Sequence, residues 1–468
     1  MIYDFAVIGG GSAGLSVAAG AAQFGAKVVL FESGAMGGDC LNSGCVPSKS
    51  LIAAAKAAQA QRTSGKYGIA ALSPDVNYAK VMDYVAGVIE TIAPIDSQAR
   101  FESLGVTVVR ADAHFTGRRT LMAKDQTYEA RRIVIATGSR AALPNIPGLK
   151  EVDYLTNETI FKNRVMPQHL IIIGGGPIGL EMAQAHCRLG CKVTVLEAGQ
   201  ALAKDDPEIS AVVLKSLQAE GVEIQTHVDI AAVTSDARIV QVSLKNGMVI
   251  SGSHLLVAAG RAPNIEHLHL KAAGIEHNAR GIVVDSRLRS TNRHVYAAGD
   301  VAGGLQFTHV AGYHAGLIIR NAMFRLPFKN RTAFIPWVTY TDPELVHVGL
   351  NEGEARKIYG KSISVLRWPF KDNDRAQAEG KPQGLVKIIV TKRGRILGAN
   401  IVGTGAGELI APWILALSHG LKISAFANVV LPYPTFSEAG KRAAMSHYAD
   451  LPKNVWVRRL LGFLKVLG

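Results

Sequence analysis

The sequence predicts an α/β chain: two units built on parallel strands, followed by an α+β C-terminal domain. Three observations carry that expectation. The turn Gly9-Gly10-Gly11-Ser12-Ala13-Gly14 lies between an apolar run at 3–8 and an Ala-rich segment, and it returns as Gly174-Gly175-Gly176-Pro177-Ile178-Gly179. In each copy a glutamate, Glu32 or Glu197, closes the next apolar run at the same offset. From about Arg331 onward, strand-like and helix-like stretches continue without any such turn.

Taken in order, the elements follow from these signals. The run 3–8 reads as a strand, the Ala-rich stretch as a helix broken at Gly25, and KVVLFE (27–32) as a second strand. Residues 105–148 read as mostly strand and include IVIATGSR (133–140). The second copy runs from the strand 170–173 through a helix around EMAQAHCRL, a break at Gly190 and the strand KVTVLE (192–197). Strands dominate 221–260 and close with LLVAAGRAPN (255–264), and VYAAGD (295–300) is a further strand entering Gly299-Asp300. In the C-terminal domain, VTYTDPELVHVG and GLVKIIVTKRGRILGANIVG read as strands, with helices around 406–419 and 437–448.

The repeated turn has a chemical reading. Glycines let the backbone approach a pyrophosphate at a helix N-terminus, where free N–H groups and the dipole favour anions. The glutamate then accepts hydrogen bonds from ribose hydroxyls. One glycine-rich turn is weak evidence, but two in the same strand–helix–acid context predict two bound dinucleotides rather than two purely structural turns.

Composition narrows the function classes. The chain has 468 residues, 48% of them hydrophobic and 19% charged, enough for about three domains with cores of their own. No apolar run reaches the ~18 residues of a membrane span. The start, MIYDFAVIGGG, lacks the basic region and cleavage site of a secretory signal, so a cytoplasmic protein is expected. The formal charge of +14 is spread along the chain without an RNP signature, finger spacing or long basic run. A solvated basic surface is therefore expected, and no nucleic-acid partner.

Four cysteines occur, at 40, 45, 187 and 191, too few for a disulfide scaffold. Cys40 and Cys45 lie in GGDCLNSGCVPSK (37–49), directly before a helix expected over 48–62. Pro47 suits the first turn of that helix, and Cys45 would meet the positive end of its dipole, which favours a thiolate. Five residues of regular helix rise about 7.5 Å, too far for a bridge, so a Cys40–Cys45 disulfide would need an irregular turn, which Gly44 permits. The alternatives are a metal site, although no His or other Cys flanks the pair, and inert core thiols. Cys187 and Cys191 are expected only to pack.

Together these residues resemble the class I pyridine nucleotide-disulfide oxidoreductases, the family of dihydrolipoamide dehydrogenase, glutathione reductase and mercuric reductase. The resemblance covers nearly the whole chain: first glycine turn, Cys-x4-Cys, ATG, second glycine turn, GRAPN, GD and interface domain. It implies a homodimer with two Rossmann-like domains, for FAD and NAD, and an interface domain. The division is 1–148 for FAD and the cysteine pair, 149–268 for the nucleotide, 269–332 completing the FAD site, and 333–468 for dimerisation. Gly9, Gly11 and Gly14 would cradle the FAD pyrophosphate, Glu32 its adenosine ribose, and Asp300 its ribityl-phosphate region. Ser12, Ala13, Ser33, Gly38, Asp39, Lys49, Ala136, Thr137, Gly138 and Gly299 are further expected cofactor contacts. Gly174, Gly176, Pro177, Ile178, Gly179 and Glu197 would hold the nicotinamide nucleotide, and Gly260 and Arg261 complete the cofactor set. Cys45 would face the flavin, Cys40 would exchange electrons with substrate, and Lys49 and Glu181 would pair beside the ring. No resident metal is implied.

Two positions refine the function. Glu197 is followed by Ala198-Gly199-Gln200 without a basic residue, so NADH is expected over NADPH. Thiol-disulfide members carry a His before Pro-Thr near the C-terminus, where this chain has Tyr433 before Pro434-Thr435, and the following acid remains as Glu438. A phenol of pKa near ~10 is a poor proton shuttle beside an imidazole near ~6.5. Tyrosine at that place and LQFTHVAGYHAG (305–316) resemble the mercuric reductase branch, although no vicinal cysteine pair follows. The expected enzyme passes electrons from NADH through FAD and Cys40–Cys45 to a soft metal ion or a disulfide. The alternatives are a dihydrolipoamide dehydrogenase-type enzyme with Tyr433 in place of the His, and a flavin redox sensor without turnover.

The stretch VWVRRLLGFLKVLG (455–468) sets Trp456, Leu460, Phe463, Leu464 and Leu467 on one helical face. Lys453, Arg458, Arg459 and Lys465 follow Asp450 without another acid. The ordinary reading is a helix docked on the dimer; the other is weak contact with a membrane surface.

Overall fold

The computed structural model describes residues 1–236 and 239–466. They form two compact units, one of Met1–Gln200 with Val222–Arg331, the other of Ala201–Gly221 with the chain from Thr332 onward. The fold is of the α/β class expected, with a separate C-terminal sheet.

In the first unit, Ile2–Ile8 pairs in parallel with Val28–Phe31 on one side and Gln126–Ile135 on the other. Val106–Val109 and Val295–Ala297 extend the parallel set, and Thr120–Ala123 and His114–Phe115 continue it antiparallel. Phe5 and Val7 join the core shared with the helices Ser12–Gln23 and Thr308–Ala322. Ala6 and Ile8 join a different core, with Val29, Phe31, Phe115 and Leu121. A strand buried on both faces reads as an unbroken apolar run, which is why 5–8, the buried part of this strand, shows no polar alternation. A second parallel sheet orders Glu223–Thr226, Lys192–Glu197, His169–Ile173 and His254–Val257, beside a three-stranded antiparallel sheet from residues 230–252.

Local details differ from the sequence expectation in three places. The helix expected over 48–62 begins earlier and spans Cys45–Thr63. The helix around 406–419 is two pieces, Ala406–Leu409 and Ala411–Ser418, the second with Pro412 in its first turn, where a missing N–H is harmless. The helix Tyr78–Asp96, which no motif marked, is capped by the Asn77 side chain accepting the Lys80 N–H.

The second unit is a five-stranded antiparallel sheet in the order Trp337–Thr339, Glu344–Gly349, Ile396–Gly403, Leu385–Thr391, Ile363–Pro369. The helix Pro207–Ala219, inside the 149–268 stretch, belongs to this unit. Its attachment explains Lys387, a charge within the apolar strand LVKIIVT. The Lys387 ammonium, with its side chain 3% exposed, lies 2.8 Å from carboxylate oxygens of Asp206, Glu208 and Glu352. Arg367 bridges Glu208 and Glu352 at 2.9 Å each. Three carboxylates thus saturate the three donors of one ammonium. Burial alone would raise the Glu352 carboxyl, but hydrogen bonds from Lys387 and Arg356 bring it down to about 2.

Removing the cation should cost more than the pair contributes, because the buried Asp206 side chain, 2% exposed, would lose its counter-charge and keep only the Glu208 N–H. Lys387→Met is expected to destabilise this unit by about 3 kcal/mol or more. Adding Asp206→Asn should regain part of the loss. Thermal unfolding midpoints of the three proteins check this, and an unchanged midpoint for Lys387→Met would remove the network from the account of the fold.

Candidate active site

The first glycine turn is shaped by close backbone approach. A Cβ on Gly9, whose φ is +107°, would stand 2.4 Å from the Ala136 carbonyl oxygen, and one on Gly14 only 1.8 Å from the Gly9 oxygen. The strand end and helix start can therefore meet only without side chains. No side chain caps the helix Ser12–Gln23 at Gly11, so its first N–H groups, those of Ser12 and Ala13 among them, face the turn. The space beside Gly11 is open, with only Gly38 Cα within 4 Å of an added Cβ, at 3.7 Å. Glu32 closes the turn: one carboxylate oxygen accepts the Gly10 N–H and the other, across Ser33, the Gly34 N–H, both at 2.6 Å.

The second turn repeats this atom for atom. A Cβ on Gly174 would lie 2.4 Å from the Ala258 oxygen and one on Gly179 2.0 Å from the Gly174 oxygen. The helix Pro177–Leu189 starts after Gly176 without a side-chain cap, beside an exposed Ile178. Glu197 accepts the Gly175 N–H at 2.7 Å and the Gly199 N–H at 2.8 Å. Each glutamate keeps lone pairs beyond these bonds. Both cradles fit a dinucleotide: uncapped helix N-termini toward a pyrophosphate, open space at the middle glycine, and a fixed carboxylate toward a ribose.

Between the two turns lies the cysteine loop. Gly37 and Gly38 lead into a short helix, Gly38–Asn42, that carries Asp39 and Cys40; Ser43 and Gly44 interrupt it before Cys45 opens the long helix. This is the irregular turn that a Cys40–Cys45 bridge requires; here both cysteines are free thiols. They are hydrogen-bonded to each other, and the Cys45 sulfur lies 3.3 Å from the Thr308 hydroxyl. The hydrogen bond from Cys40, with that of Thr308 and the nearby Lys49 charge, brings the Cys45 thiol down to about 6, against the opposing effect of burial. The same hydrogen bond, with burial, holds Cys40 far above the ordinary thiol range. The surroundings thus favour the thiolate on Cys45, at the head of its helix, and the proton on Cys40.

One helical turn beyond Cys45, the Lys49 ammonium meets Glu181 on the helix Pro177–Leu189 at 2.9 Å, and the Glu181 side chain is 6% exposed. At the other end of the same helix pair, the Arg62 guanidinium donates to the Arg188 carbonyl. The dithiol helix and the helix of the second glycine turn are thus tied near both ends.

Several contacts that no motif announced complete the site. Arg261, its side chain 13% exposed, lies 3.0 Å from Asp39 and 3.5 Å from Asp300, and its Nε donates to the Ser139 hydroxyl at 2.7 Å. Ser139 in turn donates to Asp300, whose carboxyl burial pushes above the usual range. Asn157 donates to Asp39 at 2.9 Å. Asn264, after Gly260-Arg261, bonds the main chain of Thr137 and Gly138 on both sides, beside Ala136. The Gly299 N–H donates to Nδ1 of the buried His314. Asp39, Asp300, Ala136–Gly138 and Gly260–Arg261 are thereby one connected rim. Sequence could flag GRAPN and GD, but not that Arg261 would join Asp39 to Asp300.

Tyr433 and Glu438 belong to the second unit. Tyr433 is 69% exposed, and its hydroxyl donates to Asp374 at 2.9 Å, which raises the phenol above its ordinary range. Glu438 opens the helix Glu438–Ser446 and faces Arg442 at 3.5 Å. Cys191 is buried, its thiol pushed up to about 12, in keeping with a packing role for it. Among the described residues, no group of three or more His, Cys, Asp or Glu could hold a metal ion, and no helix is long and apolar enough to cross a membrane.

Comparison with known proteins agrees with this arrangement. Residues 3–315 match the pyridine nucleotide-disulphide oxidoreductase family and residues 335–444 its dimerisation domain. A mercuric reductase of Bacillus cereus is 35% identical over 458 residues, covering 96% of this chain and 72% of that protein. A dihydrolipoyl dehydrogenase of Geobacillus stearothermophilus is 33% identical over 461 residues, covering 95% of this chain and 97% of that one. Among solved structures, the Cu(II) complex of the HOCl-induced flavoprotein disulfide reductase RclA from Escherichia coli superposes with a TM-score of 0.87 at 27% identity, covering 95% of this chain and 99% of that one. The chain belongs to the pyridine nucleotide-disulfide oxidoreductases, and is a flavin-dependent enzyme of that family that uses a pyridine nucleotide.

Proposed function

We propose that this enzyme takes electrons from NADH and delivers them through Cys40 and Cys45 to a soft metal ion, Hg(II) first among candidates, as a homodimer in a reducing cytoplasm. FAD, when bound at the first glycine turn, supplies the chemistry that accepts a hydride and reduces a disulfide by two electrons. The residues do the rest. Cys45 holds a thiolate, stabilised by its helix N-terminus, by Thr308 and by Lys49, which Glu181 keeps in position. Cys40, carrying the proton, is the thiol that meets the acceptor. A soft cation bound by both sulfurs displaces that proton and takes two electrons, leaving the cysteines joined as a disulfide.

The single observation that carries the metal reading is Tyr433. Its hydroxyl, turned to Asp374 and raised above the ordinary phenol range, is a poor acid and a poor base near neutrality. Disulfide substrates need protons delivered to their leaving thiolates, whereas a reduced metal ion needs none. The likeness to mercuric reductases and to a metal-binding flavoprotein supports the same reading. The retained Glu438 and the likeness to a dihydrolipoyl dehydrogenase favour a second one, NAD-linked oxidation of dihydrolipoamide. NADH is preferred because the fixed charge of Glu197 repels a 2′-phosphate and no basic residue follows before Lys204.

Three outcomes are expected. Alkylation of Cys45 in the reduced enzyme should rise with pH around a midpoint near 6, the thiolate being present above it. Thr308→Ala should move that midpoint upward, and a midpoint near an ordinary thiol value of ~8.5 in the native enzyme would contradict the charge assignment. In steady-state kinetics, kcat/KM for NADH should exceed that for NADPH by about tenfold or more, roughly one unit of charge repulsion at the ribose. With an acceptor panel, Hg(II)-dependent NADH oxidation should exceed dihydrolipoamide turnover, and Tyr433→His should raise the latter. Faster dihydrolipoamide turnover in the native enzyme would replace the metal reading with the second one.

A further inference from the structure

The segment after the last core helix carries a feature that the redox site does not use. Val455–Leu464 is a helix, capped by the Asn454 side chain, which accepts the Trp456 and Val457 N–H groups. None of its residues is buried: Trp456 is 75% exposed, Phe463 63% and Leu460 57%. At ~100° per residue, Phe463, Trp456, Leu460, Leu464, Val457 and Leu461 fill an arc of about 160°. Arg458 and Lys465 border one edge of that arc, and Arg459 borders the other, its guanidinium 5.3 Å from the Trp456 ring. Leu467, expected on the apolar face, lies outside the described residues.

Charge decides what covers this face. Lys453 is paired with Asp450, but among the described residues Arg458, Arg459 and Lys465 meet no carboxylate. A second copy of a chain with 51 basic and 37 acidic side chains offers mostly like charge. A helix of 10 residues rises about 15 Å, half of a ~30 Å hydrocarbon core, so it can lie in a bilayer surface but not cross it. A wide apolar arc edged by cations suits the boundary between acyl chains and anionic headgroups.

We propose that Val455–Leu464 is an interfacial helix that holds this enzyme reversibly on anionic phospholipid membranes. The test uses the full-length, FAD-loaded protein and vesicles of 3:1 phosphatidylcholine and phosphatidylglycerol. Co-sedimentation should be at least ~10-fold stronger than with phosphatidylcholine alone and should fall by a similar factor from low to high salt. R458E/R459E/K465E and W456S/F463S should each lose that binding while NADH turnover is retained. Tryptophan emission should shift to shorter wavelength on adding the anionic vesicles, and Trp456→Phe should remove the shift. Equal binding to neutral vesicles, unchanged sedimentation of both variants, or an emission shift that survives Trp456→Phe would overturn the proposal. So would a lower mass of the variants in light scattering without any vesicle binding by the native enzyme, which would assign the helix to a second copy.

Discussion

Two free thiols set side by side at a helix start, in surroundings that favour a thiolate on Cys45 over one on Cys40, set the requirements for everything around them. Two adjacent thiols titrating independently would be neutral at pH 7 and poor nucleophiles. Here Cys45 opens a helix that no side chain caps, and the hydrogen bond from Cys40 favours its thiolate. Such a turn must be irregular, and the glycines at 37, 38 and 44 make it so. It must also be held, since a loop this glycine-rich has much entropy to lose. Arg261 and Asn157, both gripping Asp39 between the glycines, do the holding.

The two glycine turns share one backbone solution. Glu32 and Glu197 accept from equivalent main-chain donors, so each carboxylate fixes its own loop and still keeps lone pairs free. Selectivity between nucleotides cannot come from the turn, which is common to both. It must come from what stands around the carboxylate, and after Glu197 that is small and uncharged.

What was legible in the sequence followed from local rules. Close backbone approach demands glycine at fixed spacing, a helix start tolerates Pro47, and a strand buried on both faces is continuously apolar, so the fold and the two cradles could be read directly. The Lys49–Glu181 pair came from resemblance alone, because residues 132 positions apart leave no periodic trace. Thr308 beside Cys45, Arg261 between Asp39 and Asp300, and Lys387 among three carboxylates were illegible for the same reason. Each looks from its neighbours like an ordinary polar residue. Its meaning lies in a partner brought from far along the chain.

The two fastenings between the helices Cys45–Thr63 and Pro177–Leu189 carry a consequence of their own. Lys49 and Arg62 are about 20 Å apart along one helix, and Glu181 and Arg188 about 10 Å apart along the other, so the helices are fastened at two separate levels. Sliding one helix along the other would have to break both fastenings. Lys49 and Glu181 each stand one turn after the first residue of their helix, Cys45 and Pro177, so a single ion pair ties the sulfur-bearing helix start to the helix start of the second glycine turn.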